Sequence, residues 1–249
     1  MRCLILAGGF GTRARLLTNK VPKPLLLLGE KPIITYITEK IPKQMQITVS
    51  TNKKFEVDFL EWRSGLDRNI DIFVEEEKLG ALRSIDYLIK EKKVDDNLLV
   101  IAGDNYFKFT LSDFIDRYNG KDPLVAVCDI KDKDKARDFG VVRLKGRKIV
   151  AFDEKPCHPA SSLIAIACYI LPPTVFRYLS DCCAISQDNL GDFIAYLVET
   201  GKDIYAYLFE QDWFDIGTAV AYEEAKRKIE LDTRAFSAKK RPTIDKGEA

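Results

Sequence analysis

Residues 4–17 read LILAGGFGTRARLL. An apolar run from Cys3 to Ala7 stops at Gly8 and Gly9, and Gly11, Thr12, Arg13 and Arg15 follow at once. Such a run is a strand buried on both faces, feeding a loop whose glycines let backbone N–H groups come close to a ligand. Closely spaced N–H groups and a planar arginine fork both suit phosphate oxygens. Further on, Lys23 is pinned between Pro22 and Pro24, which brings a point charge to the other end of the loop. The pattern is that of an open loop wrapping a triphosphate. Leu6, Ala7, Gly8, Gly9, Gly11 and Thr12 are its nucleotide-binding candidates, and Arg13 and Lys23 its catalytic cations.

Gly9-x-Gly11-x-x-Ala14 also satisfies the loose dinucleotide fingerprint of a dehydrogenase. That fingerprint needs a helix opening at its third position and an acidic residue at the end of the next strand. Pro22 and Pro24 would break such a helix, and the next strand ends in VSTN. No GK[ST] follows the glycines, so a Walker loop is excluded.

Working outward, short apolar runs alternate with amphipathic ones. Strands are expected at 2–7, 46–51, 70–75, 97–104 and 123–130, and helices at 31–41, 55–65, 80–93 and 110–120. The alternation predicts an α/β fold: a Rossmann-like, mostly parallel sheet with helices on both faces. After residue 139 the texture changes. GVVRLKGRKIVAFDEKP (140–156) reads as an antiparallel hairpin turning at Lys145–Gly146, inserted in the sheet or laid beside it. A buried strand is expected at 163–171, two further helices after it, a strand at 203–210 and a terminal helix at 219–230. The expected organisation is one domain over 1–232, with a nucleotide-type half to about 130 and a second half over 131–232 built onto the same sheet. A charged, loose tail is expected over 233–249.

Bulk composition narrows the function classes. The 249 residues carry 39 Lys and Arg against 38 Asp and Glu, so there is no general field to attract nucleic acid or a membrane. No apolar segment approaches the roughly 20 residues needed to cross a bilayer, and the N-terminal apolar run is too short for a signal peptide. Six cysteines without CxxC spacing and a single histidine argue against zinc and for a reduced, cytoplasmic protein. Oligomeric state, a homo-oligomer included, is left open.

Asp104 ends a buried apolar run directly after Gly103, and Asp215 sits between aromatics and Ile216–Gly217. Burying an unpaired carboxylate is costly, so two of them at the lip of one sheet form a reasonable Mg²⁺ clamp.

The stretch LAGGFGTRARLLTNKVPKPLLLLGEKPI (6–33) closely resembles the opening motif of the sugar-1-phosphate nucleotidyltransferases, with Leu16 and Leu27 where that family usually has proline. EEKLGALRSI (76–85), AGDN (102–105), the 139–156 segment and WFDIGT (213–218) resemble later motifs of the same family, in the same order. The resemblance implies that Glu75, Gly80 and Gly103 lie at the nucleotide, that Gly140 and Glu154 meet the sugar, and that Lys155 holds the sugar phosphate. It implies transfer of a nucleotidyl group from a nucleoside triphosphate to a sugar 1-phosphate, releasing pyrophosphate, with Mg²⁺ on Asp104 and Asp215. GDN rather than GDV tilts the expectation towards dTTP or UTP, with GTP possible, and the sugar towards glucose 1-phosphate. A non-catalytic nucleotide-sugar-binding relative is the alternative, with the dehydrogenase behind it.

Overall fold

A computed structural model describes residues 1–9, 21–77, 79–186 and 189–239, the last seven of these by backbone alone. Its strands are β1 (Arg2–Leu6), β2 (Leu27–Leu28), β3 (Lys31–Pro32), β4 (Ile47–Asn52), β5 (Ile70–Glu75), β6 (Leu98–Ala102), β7 (Asn105–Phe107), β8 (Leu124–Asp129), β9 (Gly140–Lys145), β10 (Lys148–Glu154), β11 (Leu163–Leu171), β12 (Tyr205–Phe209) and β13 (Trp213–Asp215). The helices are α1 (Ile33–Lys40), α2 (Glu56–Ser64), α3 (Ala81–Glu91), α4 (Leu111–Asp116), α5 (Lys133–Ala136), α6 (Pro173–Ile185), α7 (Leu190–Glu199) and α8 (Ala219–Lys239).

Nine strands form one sheet in the order β5-β4-β1-β6-β11-β8-β12-β10-β9. Parallel pairing runs from β5 to β6, with Cys3 opposite Ile47 and Leu6 opposite Ala102. Successive side chains of β1 point to opposite faces, and both faces are covered. Cys3 and Ile5 join one core with Ile37, Phe59 and Phe114, whereas Leu4 joins another with Leu82, Ile85 and Phe193. That double burial is why β1 is apolar from Cys3 onward rather than alternating.

The second half extends the same sheet mainly with antiparallel strands, although β12 pairs with β8 in parallel. The hairpin expected over 140–156 is present as β9 and β10, turning at Gly146 (φ +62°). It is inserted rather than laid aside: β10 pairs with β12, and β9 pairs with β11. The pairing of β11 shifts between Ala165 and Tyr169, where four steps along β11 match two along β8. Ala167, inside this irregularity, has φ +53°. Before the shift β11 pairs with β9, and after it with β6. The bulge therefore parts the C-terminal end of β6 from the start of β9, a usual use of bulges beside functional sites.

The chain passes from β1 to β4 and β5 on one side, then returns to β6 on the other. The strand order thus reverses between β1 and β6, where open α/β sheets form a crevice at the strand ends. A smaller core of Leu28, Ile33, Tyr106, Ile216, Ala225 and Ile229 docks α8 beside the β2–β3 and β7–β13 ribbons. One expectation is corrected here. Helix α8 runs on to Lys239, past residue 230 where the terminal helix was expected to end. The sequence has no glycine or proline stop before Pro242.

Candidate active site

Two cavities open at the crevice, of about 270 and 260 Å³. Asp104 and Ala167 line both, so the two meet at the end of β6 beside the bulge.

The first cavity lies over the ends of β1, β4 and β5, and Leu6, Ala7, Gly8, Gly9, Glu75 and Gly80 all line it. The strand ends are tied together by backbone and side chain. Ala7 N–H donates to Ser50 O at 2.8 Å, and Asn52 Nδ2 donates to Gly8 O at 3.0 Å. Glu75 is only 3% exposed, and a Cβ at Gly8 would stand 3.1 Å from its Oε2. Glycine at position 8 is what lets the Glu75 carboxylate lie against the loop. Gly80, at φ +85°, caps the N-terminus of α3, whose first residue also lines the cavity. Gly103 lies between Ala102 and Asp104, which line both cavities, and a Cβ there would sit 2.9 Å from Leu6 O and 3.1 Å from Pro24 Cγ. It holds β6 tightly against β1 and thereby fixes Asp104. Gly11, Thr12, Arg13 and Arg15 lie outside the described residues.

Lys23 lines the first cavity with its side chain 11% exposed. Its Nζ donates to Gly217 O at 3.3 Å and stands 3.6 Å from Asp104 Oδ2. The flanking prolines fix the backbone that aims it.

The second cavity carries Asp104, Asp215, Gly140, Glu154 and Lys155. The carboxylates arrive together because β7 pairs with β13, setting Asn105 opposite Asp215, and Ile216 N–H donates to Asp104 O at 3.0 Å. Asn105, which entered the sequence reading only as part of the AGDN motif, ties this ribbon to the sheet. Its Nδ2 donates to Ile166 O in the bulge at 2.6 Å, and its Oδ1 accepts from Trp213 Nε1 at 2.8 Å. Among the described residues, no three His, Cys, Asp or Glu side chains converge as a metal site. Two carboxylates with room for water and phosphate oxygens suit magnesium, which rarely takes an all-protein cage.

Glu154 is held between two glycines. A Cβ at Gly191 would fall 1.9 Å from Glu154 Oε2, and one at Gly140 would fall 3.0 Å from the same atom and 2.4 Å from Phe152 Cζ. Burial raises the Glu154 pKa, and the neighbouring Lys155 opposes that shift. Lys155 itself has φ +47°, a strained backbone for a non-glycine residue. Its N–H donates to Phe139 O at 3.0 Å, and its Nζ reaches Asn189 Oδ1 at 2.7 Å and Glu154 Oε1 at 3.3 Å. Asn189 caps α7 through a reciprocal box with Asp192. The helix cap is thus also the seat of the lysine. Asn189 and Gly191 were also missed in the sequence. Asn189 has the signature of an N-cap, but Gly191 reads as an ordinary helix glycine and gives no signal.

Cys3, Cys128 and Cys168 are buried and free, and His158 is exposed. Among the described residues, no helix is long and apolar enough to cross a membrane.

The sequence profile of the nucleotidyl transferase family matches residues 2–231. A mannose-1-phosphate guanyltransferase from Debaryomyces hansenii is 30% identical over 236 residues, covering 87% of this chain and 61% of that protein. A Sulfolobus acidocaldarius protein provisionally described by the same name is 24% identical over 222 residues, covering 88% of this chain and 60% of its own length. The chain thus spans about three fifths of these curated relatives. Among solved structures, a Bacillus anthracis protein provisionally described as a glucose-1-phosphate thymidylyltransferase, in complex with sucrose, superposes with a TM-score of 0.82. Its identity is 25%, over 92% of this chain and 94% of that one. A UDP-glucose pyrophosphorylase complexed with UDP-glucose shares the fold, with a TM-score of 0.76 at 21% identity over 93% and 98% of the two chains. The ordered motifs, the crevice at the strand-order reversal and the profile match agree, and the chain belongs to the nucleotidyl transferase family.

Proposed function

We propose that the protein joins a nucleoside triphosphate to a sugar 1-phosphate, giving a nucleotide sugar and pyrophosphate. The observation that carries this reading is the junction of two cavities at Asp104, with Lys23 on one side and Lys155 on the other. The first cavity takes the triphosphate and the second the sugar phosphate, which brings two anions to one point under fixed cations.

An oxygen of the sugar phosphate attacks the α-phosphorus in line. A new P–O bond forms as the bond to the β-phosphate oxygen breaks, and pyrophosphate leaves. No general base is needed, because the second pKa of a phosphate monoester is about 6. Catalysis is then positioning and charge stabilisation. Lys155, braced by Asn189, holds the attacking phosphate. Lys23 meets triphosphate oxygens, and α3 turns the positive end of its dipole towards the same cavity. Glu154 accepts hydrogen bonds from sugar hydroxyls. Arg13, carried over from the sequence reading, would neutralise charge on the departing pyrophosphate. Asp104 and Asp215 would hold Mg²⁺, which when bound polarises phosphoryl oxygens and offsets their charge.

The retention of Lys23, Asp104, Glu154, Lys155 and Asp215 favours catalysis over a binding-only relative. The test is pyrophosphate release from a panel of triphosphates, with glucose 1-phosphate and mannose 1-phosphate, with and without Mg²⁺. Release that needs both substrates and the metal is expected. Binding of the nucleotide with no release in any combination would refute the reaction.

A further inference from the structure

We propose that the protein carries a second anion site, built for one phosphate group, at the end of the sheet opposite the catalytic crevice. The site is a cavity of about 130 Å³ beside the start of α6, where Lys121, Arg177, Tyr178 and Lys202 stand over the buried Pro123 and Val175. Pockets for drug-sized ligands run to roughly 300 Å³ and more, so this one suits a small ion. It is separate from the crevice. Leu171, just before α6, pairs with Leu98 at the start of β6, and Asp104 lies beyond the far end of that strand. At about 3.3 Å per residue, the two sites stand on the order of 20 Å apart.

Three separate segments bring one cation each. Lys121 lies between α4 and β8, Arg177 on α6, and Lys202 between α7 and β12. Two of them meet at one phenol. Arg177 Nη2 donates to Tyr178 OH at 2.9 Å, and the guanidinium carbon stands 4.8 Å from the centre of that ring. Lys202 Nζ also stands 4.8 Å from the ring centre. Hydrogen bonds from Lys202, and then from Arg177, lower the Tyr178 pKa, so both cations reach the phenol oxygen. Among the described residues, none of the three cations forms an ion pair with a carboxylate. The two carboxylates of the lining are engaged elsewhere: Asp203 pairs with Lys148 at 2.5 Å, and Asp122 accepts from Asn119 Nδ2 at 2.9 Å. Cations gathered by the fold without counter-ions repel one another, and a bound dianion turns that repulsion into attraction. Guanidinium and ammonium groups only donate hydrogen bonds, which matches the acceptor oxygens of phosphate, and the arginine fork can hold two of them at once.

The test is a titration of the ¹⁵N-labelled chain with inorganic phosphate, read by NMR at the backbone amides of Val175, Arg177 and Lys202. Sodium chloride at equal ionic strength is the comparison. Phosphate should shift these amides to saturation with a half-point near about 1 mM, the affinity that two charge-assisted hydrogen bonds supply. Chloride should give only the weak, unsaturating drift of screening. The catalytic crevice also attracts phosphate, but it reports separately at the amides of Gly80 and Lys155. The double variant Arg177→Ala, Lys202→Ala should raise the half-point at Val175 by about 10²-fold. It should leave the responses of Gly80 and Lys155 unchanged, because both side chains lie outside the crevice. Arg177→Lys alone keeps the charge, loses the fork and should weaken binding about 10-fold. The same drift in phosphate and in chloride, no saturation at Val175, or an unchanged half-point in the folded double variant would overturn the assignment. The comparison of phosphate with chloride on the parent protein needs no variant, so it decides the question even if the double variant fails to fold.

Discussion

Replacing Gly191 by alanine tests whether the proposed sugar side of the site is set by the packing of Glu154. The new methyl would stand 1.9 Å from Glu154 Oε2, 2.8 Å from its Cδ and 2.9 Å from Phe152 Cε1. Ordinary contact begins near 3.4 Å, so Oε2 must retreat by about 1.5 Å. Retreat is obstructed, because Gly140 closes the other side with Phe152 behind it, and Lys155 Nζ holds Oε1 at 3.3 Å. Two stability effects oppose each other. Alanine is better than glycine inside a helix by about 1 kcal/mol, while overpacking a filled site costs roughly 1–3 kcal/mol. The net loss is about 0–2 kcal/mol, or a fall in Tm of roughly 0–8 °C for a domain of this size. Function should suffer more, since a displacement of about 1 Å can cost on the order of 10²-fold. With steady-state pyrophosphate release as the assay, the KM for the sugar 1-phosphate should rise sharply and kcat/KM for it fall about 10²-fold, while the KM for the triphosphate stays put. Gly65→Ala is the control, because its Cβ meets nothing closer than Trp62 O at 3.6 Å. A folded Gly191→Ala variant with an unchanged KM for the sugar phosphate would refute the reasoning.

Three further outcomes are expected. Asn105→Ala strands the carbonyl of Ile166 and the indole N–H of Trp213. Each buried orphan costs about 1–3 kcal/mol, so urea midpoints should fall and kcat should drop as Asp104 and Asp215 lose their shared support. An unchanged midpoint would exclude that support. Asp104→Asn should lower kcat by on the order of 10²–10³ and raise the Mg²⁺ concentration for half-maximal turnover, whereas chelation should silence the parent enzyme. An unaltered Mg²⁺ titration would remove Asp104 as a ligand. Hydrogen bonds from Lys131 and Ser162 hold the Asp129 carboxyl down at about 2, from a usual value of 3.8. A depressed pKa stabilises the fold in full above about pH 4, and the contribution fades as pH falls through about 2. Asp129→Asn should therefore be less stable than the parent at neutral pH, and the two should converge towards pH 2 in denaturant titrations. A stability gap that does not change with pH would contradict this.

The local codes along the chain were enough for the α/β class, for the nine strands of the main sheet in order and for most of the candidate site residues, but not for the short β2–β3 and β7–β13 ribbons. Cys3 to Ile5 is apolar at every position because it is covered on both faces, and that pattern survives in sequence. Gly8 and Gly9 and the Pro22-Lys23-Pro24 clamp announce themselves because backbone freedom and backbone restriction are properties of single residues. Asp104 and Asp215 stand out as carboxylates ending apolar runs. Tertiary structure alone decided what depends on distant partners. Two extra residues in β11 part β6 from β9 and make room for a second cavity, a register fact that no local pattern encodes. Gly191 matters only because the Glu154 carboxylate, from another strand, occupies the place of its Cβ. Asn189 matters because a lysine with φ +47° reaches it across 34 residues. Glu75 acquires meaning only when β5 folds beside β4 and brings its carboxylate against Gly8. Sequence records the preferences of each residue, whereas contacts between remote strand ends arise from the pairing of the sheet.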